Sequence, residues 1–448
     1  MKLFETIRNI WKIEDLKSRI LSTLGFVLIY RLGSFVVLPG IDPEQLAGLK
    51  NQTRDGVMGL LDMFSGGAFS NASIVALGIM PYISASIVVQ LLGIAVPYFQ
   101  RLQREGESGH RKINQITRYL TVLILLFQAP AYIANLHSQL PAGAFAGAGL
   151  LFTISSTIIL TAGSMFVMWL GERITDKGIG NGISLIIMIG IIARLPHSLA
   201  AEFVSRLGAG NANGGPIMLL VEFVFLFLVF VGSILLVQGT RRIPVQYAKR
   251  IVGNKQYGGV RQYIPLKVNA AGVMPIIFAQ AIMFIPVTLA GFIDSENATG
   301  FAAVFGDFTG FWYNFSFALL IIVFTYFYTA ITINPTQMAE DMKRNGGFIP
   351  GIKPGKKTVE FIDSVMSKIT LPGSIFLAIV AILPAFAMMA GVESSFAHFF
   401  GGTSLLILVG VVLDTLQQIE SHLLMRHYDG LLKSGRIKGR TGGGAAAY

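Results

Sequence analysis

The sequence predicts an all-α, multi-span membrane protein with ten transmembrane helices, and three observations carry that prediction. Of 448 residues, 53% are hydrophobic and only 13% are charged, whereas a soluble chain carries about 25% charged residues. The mean hydropathy is +0.63. Apolar windows of the roughly 20 residues needed to cross a ~30 Å hydrocarbon core recur along the whole chain, and the charges gather between them. The 50 glycines agree, since Gly is more frequent in membrane helices than in soluble ones.

The N-terminus, "MKLFETIRNIWKIEDLKSRI", has neither an uninterrupted apolar core nor a small-residue cleavage site, so no cleavable signal peptide is expected. Leu3, Phe4, Ile7, Ile10, Trp11 and Ile13 fall on about one helical face with Lys and Arg opposite, which suits a helix over 1–19 lying on the membrane surface. An ordinary solvated basic leader is the alternative. Spans are expected at about 20–38, 74–96, 117–136, 150–171, 183–203, 215–238, 269–292, 311–331, 370–390 and 402–421. With the N-terminus in the cytoplasm, the segments 1–19, 97–118, 171–182, 239–268, 332–369 and 422–448 face inward and hold 30 of the 35 Lys and Arg. The remaining five are Arg31, Lys50, Arg54, Arg194 and Arg206. The positive-inside rule therefore puts both termini in the cytoplasm. A Gly/Asn/Ala linker at 207–214 separates an N-terminal half, 20–206, from a C-terminal half, 215–421. Five spans per half is an odd number, so the second half enters the membrane from the opposite side and two like halves would be related by inverted topology. Parity supports that symmetry; no matched residues do.

Chemistry is sparse. The chain has no Cys, which removes disulfides, thiol nucleophiles and Cys-based metal sites. Ionisable residues inside a membrane are the default functional candidates, and here they are Arg31 in span one, Glu222 in span six and Asp414 in span ten. Local capping or pairing is the commoner role for each such charge. The histidines sit at or beyond span ends with no HExxH pattern, and no Ser-His or Asp-Asp constellation or P-loop is present. "GIGNGIS" (178–184) follows no strand, misses GxGxxG, and reads as a tight turn opening span five. The sequence predicts no catalysis, metal or cofactor.

Two features need a different explanation. In "FSGGAFSNASIVALGIMPYISASIVV" (64–89) a soft polar stretch runs into an apolar helix with no charge between them. The cytoplasmic loops are also long. "GTRRIPVQYAKRIVGNKQYGGVRQYIPLKVN" (239–269) holds seven basic residues and no acid, and its β-formers, Pro244 and Gly258-Gly259 suit a protruding hairpin. The segment 332–369 has Gly-Gly and Pro-Gly punctuation ahead of Lys353, Lys356 and Lys357. Such loops either touch anionic lipid headgroups or form a docking surface for a large soluble partner, RNA phosphate being one candidate.

The stretches "LGIMPYISASIVVQLL", "EGESGHRKINQITRY", "GERITDKGIGNGIS", "RRIPVQYAKR", "KVNAAGVMPIIFA", "NPTQMAEDMKRNGGFIPGIKPGKKT" and "GGTSLLILVGVVLD" together resemble the SecY family, the central subunit of the bacterial protein-conducting channel. They cover most spans and all major cytoplasmic loops in the family's order. The resemblance implies a central hourglass pore between the two five-helix halves, closed by a plug and an aliphatic ring. The plug corresponds to about 60–70, with Leu61, Phe64, Ser65, Gly66, Gly67, Ala68 and Phe69, and the true span starts from about Asn71. The pore ring carries over to Ile79, Ile83, Ile183, Ile187, Ile277 and Ile407. Both pairs are spaced i, i+4, and β-branched side chains are stiff at χ1 and seal by dewetting.

Spans two, three, seven and eight would form a lateral gate releasing apolar segments into lipid, with Gln90, Pro275 and Phe278 at it. Two readings stand for Gln90, lining the gate or bonding a neighbouring helix. Arg241, Arg242, Lys249, Arg250, Lys353, Lys356 and Lys357 would meet the SecA ATPase motor or the ribosome, its rRNA and proteins. Lys353 stands in "PGIKPG" where the family usually has Arg, and a compact point charge replaces a planar fork there. Signal peptides, nascent chains, small SecE-like and SecG-like membrane subunits and anionic lipids complete the implied partners. The implied location is the bacterial plasma (inner) membrane. The C-terminal "GRTGGGAAAY" fits no family motif and is expected to be flexible. The rival functions are a secondary transporter, which should carry coupling charges near the midplane where this chain has isoleucines, and an intramembrane enzyme.

Overall fold

The computed structural model describes residues 13–46, 59, 62–145, 149–207, 215–247, 250–252, 255–257, 261–290 and 309–433. A helix coincides with each of the ten expected spans: α1 (Glu14–Gly33), α2 (Met80–Ala95), α4 (Glu107–Gln139), α5 (Leu150–Lys177), α6 (Gly182–Leu207), α7 (Gly215–Gln238), α8 (Met274–Ala290), α9 (Phe311–Thr332), α11 (Lys356–Met389) and α13 (Gly402–Lys433). Among the described residues, seven helices are long and apolar enough to cross a membrane, or up to eight if α2 and the short α3 (Pro97–Arg104) form one bent span; a further short helix, α12 (Ser394–Ala397), lies between α11 and α13.

α7 shows why these helices need lipid. It buries Gly215, Glu222 and Ser233 and exposes Ile217, Leu220, Val221, Phe223, Val224, Phe227 and Leu228. A helix in water does the reverse. Apolar side turned outward and polar side turned inward is the pattern of a membrane-facing span.

Several boundaries differ from the sequence expectation; α4, for one, begins at Glu107 rather than near 117. The second span was expected from 74, or from Asn71 by family likeness, but α2 begins at Met80. Residues 65–79 instead form a chain of turns, with Gly66, Gly67, Ala72 and Gly78 all at positive φ, and Pro81 then serves as a helix start. Span one begins at Glu14 rather than near 20, with Glu14 and Asp15 favourably placed in its first turn; the apolar face expected over 1–13 lies outside the described residues apart from Ile13. The segment 332–369 is not a plain loop. It contains α10 (Pro335–Arg344), capped by the Asn334 side chain, and the first turns of α11. Past 421 α13 continues to Lys433, and the glycine-rich tail lies outside the described residues, as does most of the 207–214 linker.

The 239–268 loop forms the expected hairpin. Strand β1 (Thr240–Tyr247) pairs antiparallel with β4 (Arg261–Lys267) from Thr240↔Lys267 to Gln246↔Arg261. A smaller hairpin, β2 (Arg250–Val252) with β3 (Lys255–Tyr257), lies between them. Residues of the other long loop add a third strand, β5 (Gly347–Phe348), to β1. Ile243, Val245 and Leu266 of the hairpin bury against Met342, Ile349, Ile362 and Met366, so the two loops and the start of α11 share one small core. A larger core lies where the halves meet and includes Tyr30, Phe64, Ile83, Ile187, Phe278, Phe317 and Ile407.

Candidate functional site

Ile83 of α2, Ile187 of α6, Ile277 of α8 and Ile407 of α13 converge on one cavity, together with Met80, Gln280 and Phe64. Its volume is about 10 Å³, room for no more than one water. Side chains from both halves therefore meet with almost nothing between them. Of the six ring residues expected by likeness, four line this constriction and two do not. Ile79 is the N-cap residue of α2, buried one turn from Ile83, whose N–H donates to the Ile79 carbonyl at 3.1 Å. Ile183 turns toward α5 and packs over Gly171.

Phe64, within the buried segment 62–70, bounds one side of the constriction. Phe64 reaches the isoleucines, while Ser65, Gly66, Gly67, Ala68 and Phe69 are buried behind it; Leu61 lies outside the described residues. The segment is tied down largely through its own backbone. The Tyr30 hydroxyl donates to the Ser65 carbonyl at 3.1 Å, Arg31 to that of Gly66 at 2.9 Å, and Tyr132 to that of Phe69 at 2.8 Å. Asp62 accepts from the Ser70 N–H at 2.8 Å and pairs with Arg194, which also donates to the Ser70 hydroxyl at 2.7 Å. In a low-dielectric interior such charge-assisted bonds are the strong ones.

Glycine makes the seat possible. A Cβ on Gly190 of α6 would stand 2.6 Å from the Phe64 carbonyl oxygen, and one on Gly66 would stand 2.8 Å from the Gly190 Cα. Backbone rests on backbone there, which any side chain prevents. Along α6 the sequence order follows the geometry: Ile187 at the ring, Gly190 under the plug-like segment, Arg194 holding its far end. At about 1.5 Å per residue, this spans roughly 10 Å.

The intramembrane charges singled out in the sequence separate cleanly. Arg31 serves the 62–70 segment. Glu222 belongs to a buried ionic knot with Arg206 and Glu202, in which Arg206 also donates to the Gly391 carbonyl at 2.9 Å and Glu202 accepts the Glu393 N–H at 2.8 Å. Asp414 is exposed, two turns along α13 from Ile407. Arg194 and Asp62 were not foreseen; the available signal was an arginine following the apolar run "SLIIMIGIIA".

At the expected gate, Gln90 donates to the Ser86 hydroxyl on its own helix at 3.3 Å rather than to a neighbouring helix. Phe278 packs edge-on against Phe324 and Tyr328 of α9 at 6.0 and 5.7 Å, and Pro275 is buried beside it. Of the basic loop residues, Arg241, Arg242, Lys353, Lys356 and Lys357 are exposed. Lys249 lies outside the described residues, and Arg250 is placed only by its backbone in β2. Among the described residues no group of three or more His, Cys, Asp or Glu is arranged to hold a metal ion.

Known proteins resemble this arrangement over nearly the whole chain. The family model described as SecY matches residues 73–416. The protein translocase subunit SecY of Chlamydia muridarum (strain MoPn / Nigg) is 41% identical over 457 residues, covering 97% of this chain and 99% of the relative. Among solved structures, one described as a protein conducting channel superposes with a TM-score of 0.60 at 17% identity, over 90% of this chain and 92% of that one. Sec61 in the canine ribosome-channel complex from the endoplasmic reticulum gives 0.56 at 16% identity, over 90% and 92%. At those identities the structures speak to the fold.

Proposed function

The chain belongs to the SecY family, and from that premise we propose that it passes unfolded secretory polypeptides across the bacterial plasma (inner) membrane as the central pore-forming subunit of a translocon. The observation that carries this reading is the closure of a cavity of about 10 Å³ by four isoleucines from four different helices and by Phe64. An apolar constriction of this size resists ions by dewetting. Its non-directional contacts can also close around any side chain that passes. The pore ring is Ile83, Ile187, Ile277 and Ile407, backed by Ile79 and Ile183. The plug is residues 60–70, withdrawn to open.

Release into lipid occurs between α2 and α4 on one side and α8 and α9 on the other, where Gln90, Pro275 and Phe278 lie. Leu, Ile, Phe and Val each favour the membrane centre by about 0.3–0.6 kcal/mol, and Lys, Arg or Asp is disfavoured by about 2.5–3.5 kcal/mol. A mainly apolar segment of about 20 residues then leaves sideways while a polar one continues. Both termini are cytoplasmic, which the Lys and Arg distribution supports. The exposed Arg241, Arg242, Lys353, Lys356 and Lys357 dock the SecA motor or the ribosome; the canine relative is described in a ribosome-channel complex. SecE-like and SecG-like subunits clamp the two halves from outside.

The test is a crosslink. Single cysteines at Ile83→Cys and Ile277→Cys need no background thiol removal, since the chain has no Cys. A secretory polypeptide with one cysteine is stalled midway through translocation. Disulfide adducts at both positions, absent when the substrate lacks a signal sequence, are the expected result. No adduct at either position, alongside adducts at a control cysteine elsewhere in the channel, overturns the ring assignment and returns weight to a transporter.

A further inference from the structure

Gln280 is out of character with its surroundings. It lies on α8 just under one turn after Ile277, is 7% exposed, and lines the constriction. Its amide oxygen has no hydrogen-bond partner among the described residues. Everything else it shares the cavity with is hydrocarbon or thioether: Phe64, Met80 and the four isoleucines. A cavity of about 10 Å³ is the size of one water, but a buried water needs two to four polar partners. Among the described residues Gln280 is the single polar side chain lining this one. Among the described residues nothing meets this acceptor while the constriction is shut, and an unmet buried acceptor raises the free energy of the state that strands it. Widening the ring ends the penalty by admitting a hydrogen-bond donor.

We propose that Gln280 sets how readily the constriction opens, as a specificity-determining residue whose ligand is a hydrogen-bond donor: water in the empty channel, or the backbone N–H of an extended polypeptide threaded through it. Leucine at this position would complete an apolar collar and favour the shut state. The inference rests on the polypeptide-conduit reading above.

The experiment compares the parent with Q280L and Q280M in planar bilayers and in vesicles. Met keeps the length and flexibility of Gln without its amide, so the comparison holds even if Leu packs badly. The stranded acceptor corresponds to a roughly 5- to 150-fold change in the shut-to-open ratio. A fall of that size in spontaneous openings without substrate assigns water as the donor. A fall confined to openings triggered by a secretory polypeptide assigns its backbone. If Q280M opens as often as the parent in both settings while the parent passes polypeptide, the role of Gln280 is overturned and the conduit reading stands. A parent that neither opens nor passes polypeptide under any condition overturns both.

Discussion

Arg194 and Asp62 tie down the far end of the 62–70 segment. The Asp62 side chain is 8% exposed and the Arg194 side chain 26%, so deleting the arginine strands a carboxylate in an apolar seat. Losing one member of a buried pair costs about 3–5 kcal/mol, and the partial exposure of Arg194 reduces this to about 1–3 kcal/mol. R194A is expected to raise halide leak through resting channels in vesicles roughly tenfold, and D62N/R194Q to restore most of the seal because no charge is left unpaired. Equal leak in R194A and the parent would show that the pair does not hold the 62–70 segment. This contact was legible only in half. An arginine at span depth demands a partner, but nothing in the order of residues says which of several acids meets it. Arg31 was visible as an intramembrane charge, yet its partner is a backbone carbonyl, Gly66, and carbonyls leave no trace in composition. Gln280 is illegible for the opposite reason: one amide in an apolar span looks like tolerated polarity until its neighbours are known.

Among the elements, α6 does the most positioning, and Gly190 is where a substitution tests it. Ala is the better helix former by about 1 kcal/mol, so G190A leaves the helix itself intact. Its Cβ, however, would sit 2.6 Å from the Phe64 carbonyl oxygen, and the segment above must lift. A cysteine at Ser65, buried in the parent, is expected to label with a water-soluble maleimide at least several-fold faster in G190A. Unchanged labelling would mean that the segment is seated by its side-chain bonds alone. The ten helices themselves were legible because apolar run length is a one-dimensional property. The start of α2 was not. Hydropathy is continuous through 74–96, and only the geometry shows positive φ at Ala72 and Gly78 ahead of Pro81 delaying the helix to Met80. The i, i+4 spacing likewise placed Ile183 beside Ile187 but not their directions, since the close approach of Gly171 draws Ile183 to α5.

For the whole molecule, the ionic knot of Arg206, Glu202 and Glu222 joins the end of α6, the start of α7 and the turn after α11. All three side chains are nearly inaccessible, at 2–4%. R206A strands two carboxylates at once and is expected to destabilise the detergent-solubilised protein by about 3–5 kcal/mol, read as a lower unfolding midpoint. Replacing all three with apolar residues of similar size should recover most of it; no recovery would mean that the cost lies in lost packing. The same turn is reached by α11, whose first turns sit in the hairpin core through Ile362 and Met366. Its 34 residues correspond to about 51 Å of helix, with Pro372 and Pro384 as the points of give. Mechanically this is a driveshaft: torque applied at the core shared by the two loops arrives, within one continuous element, at the turn that the ionic knot holds.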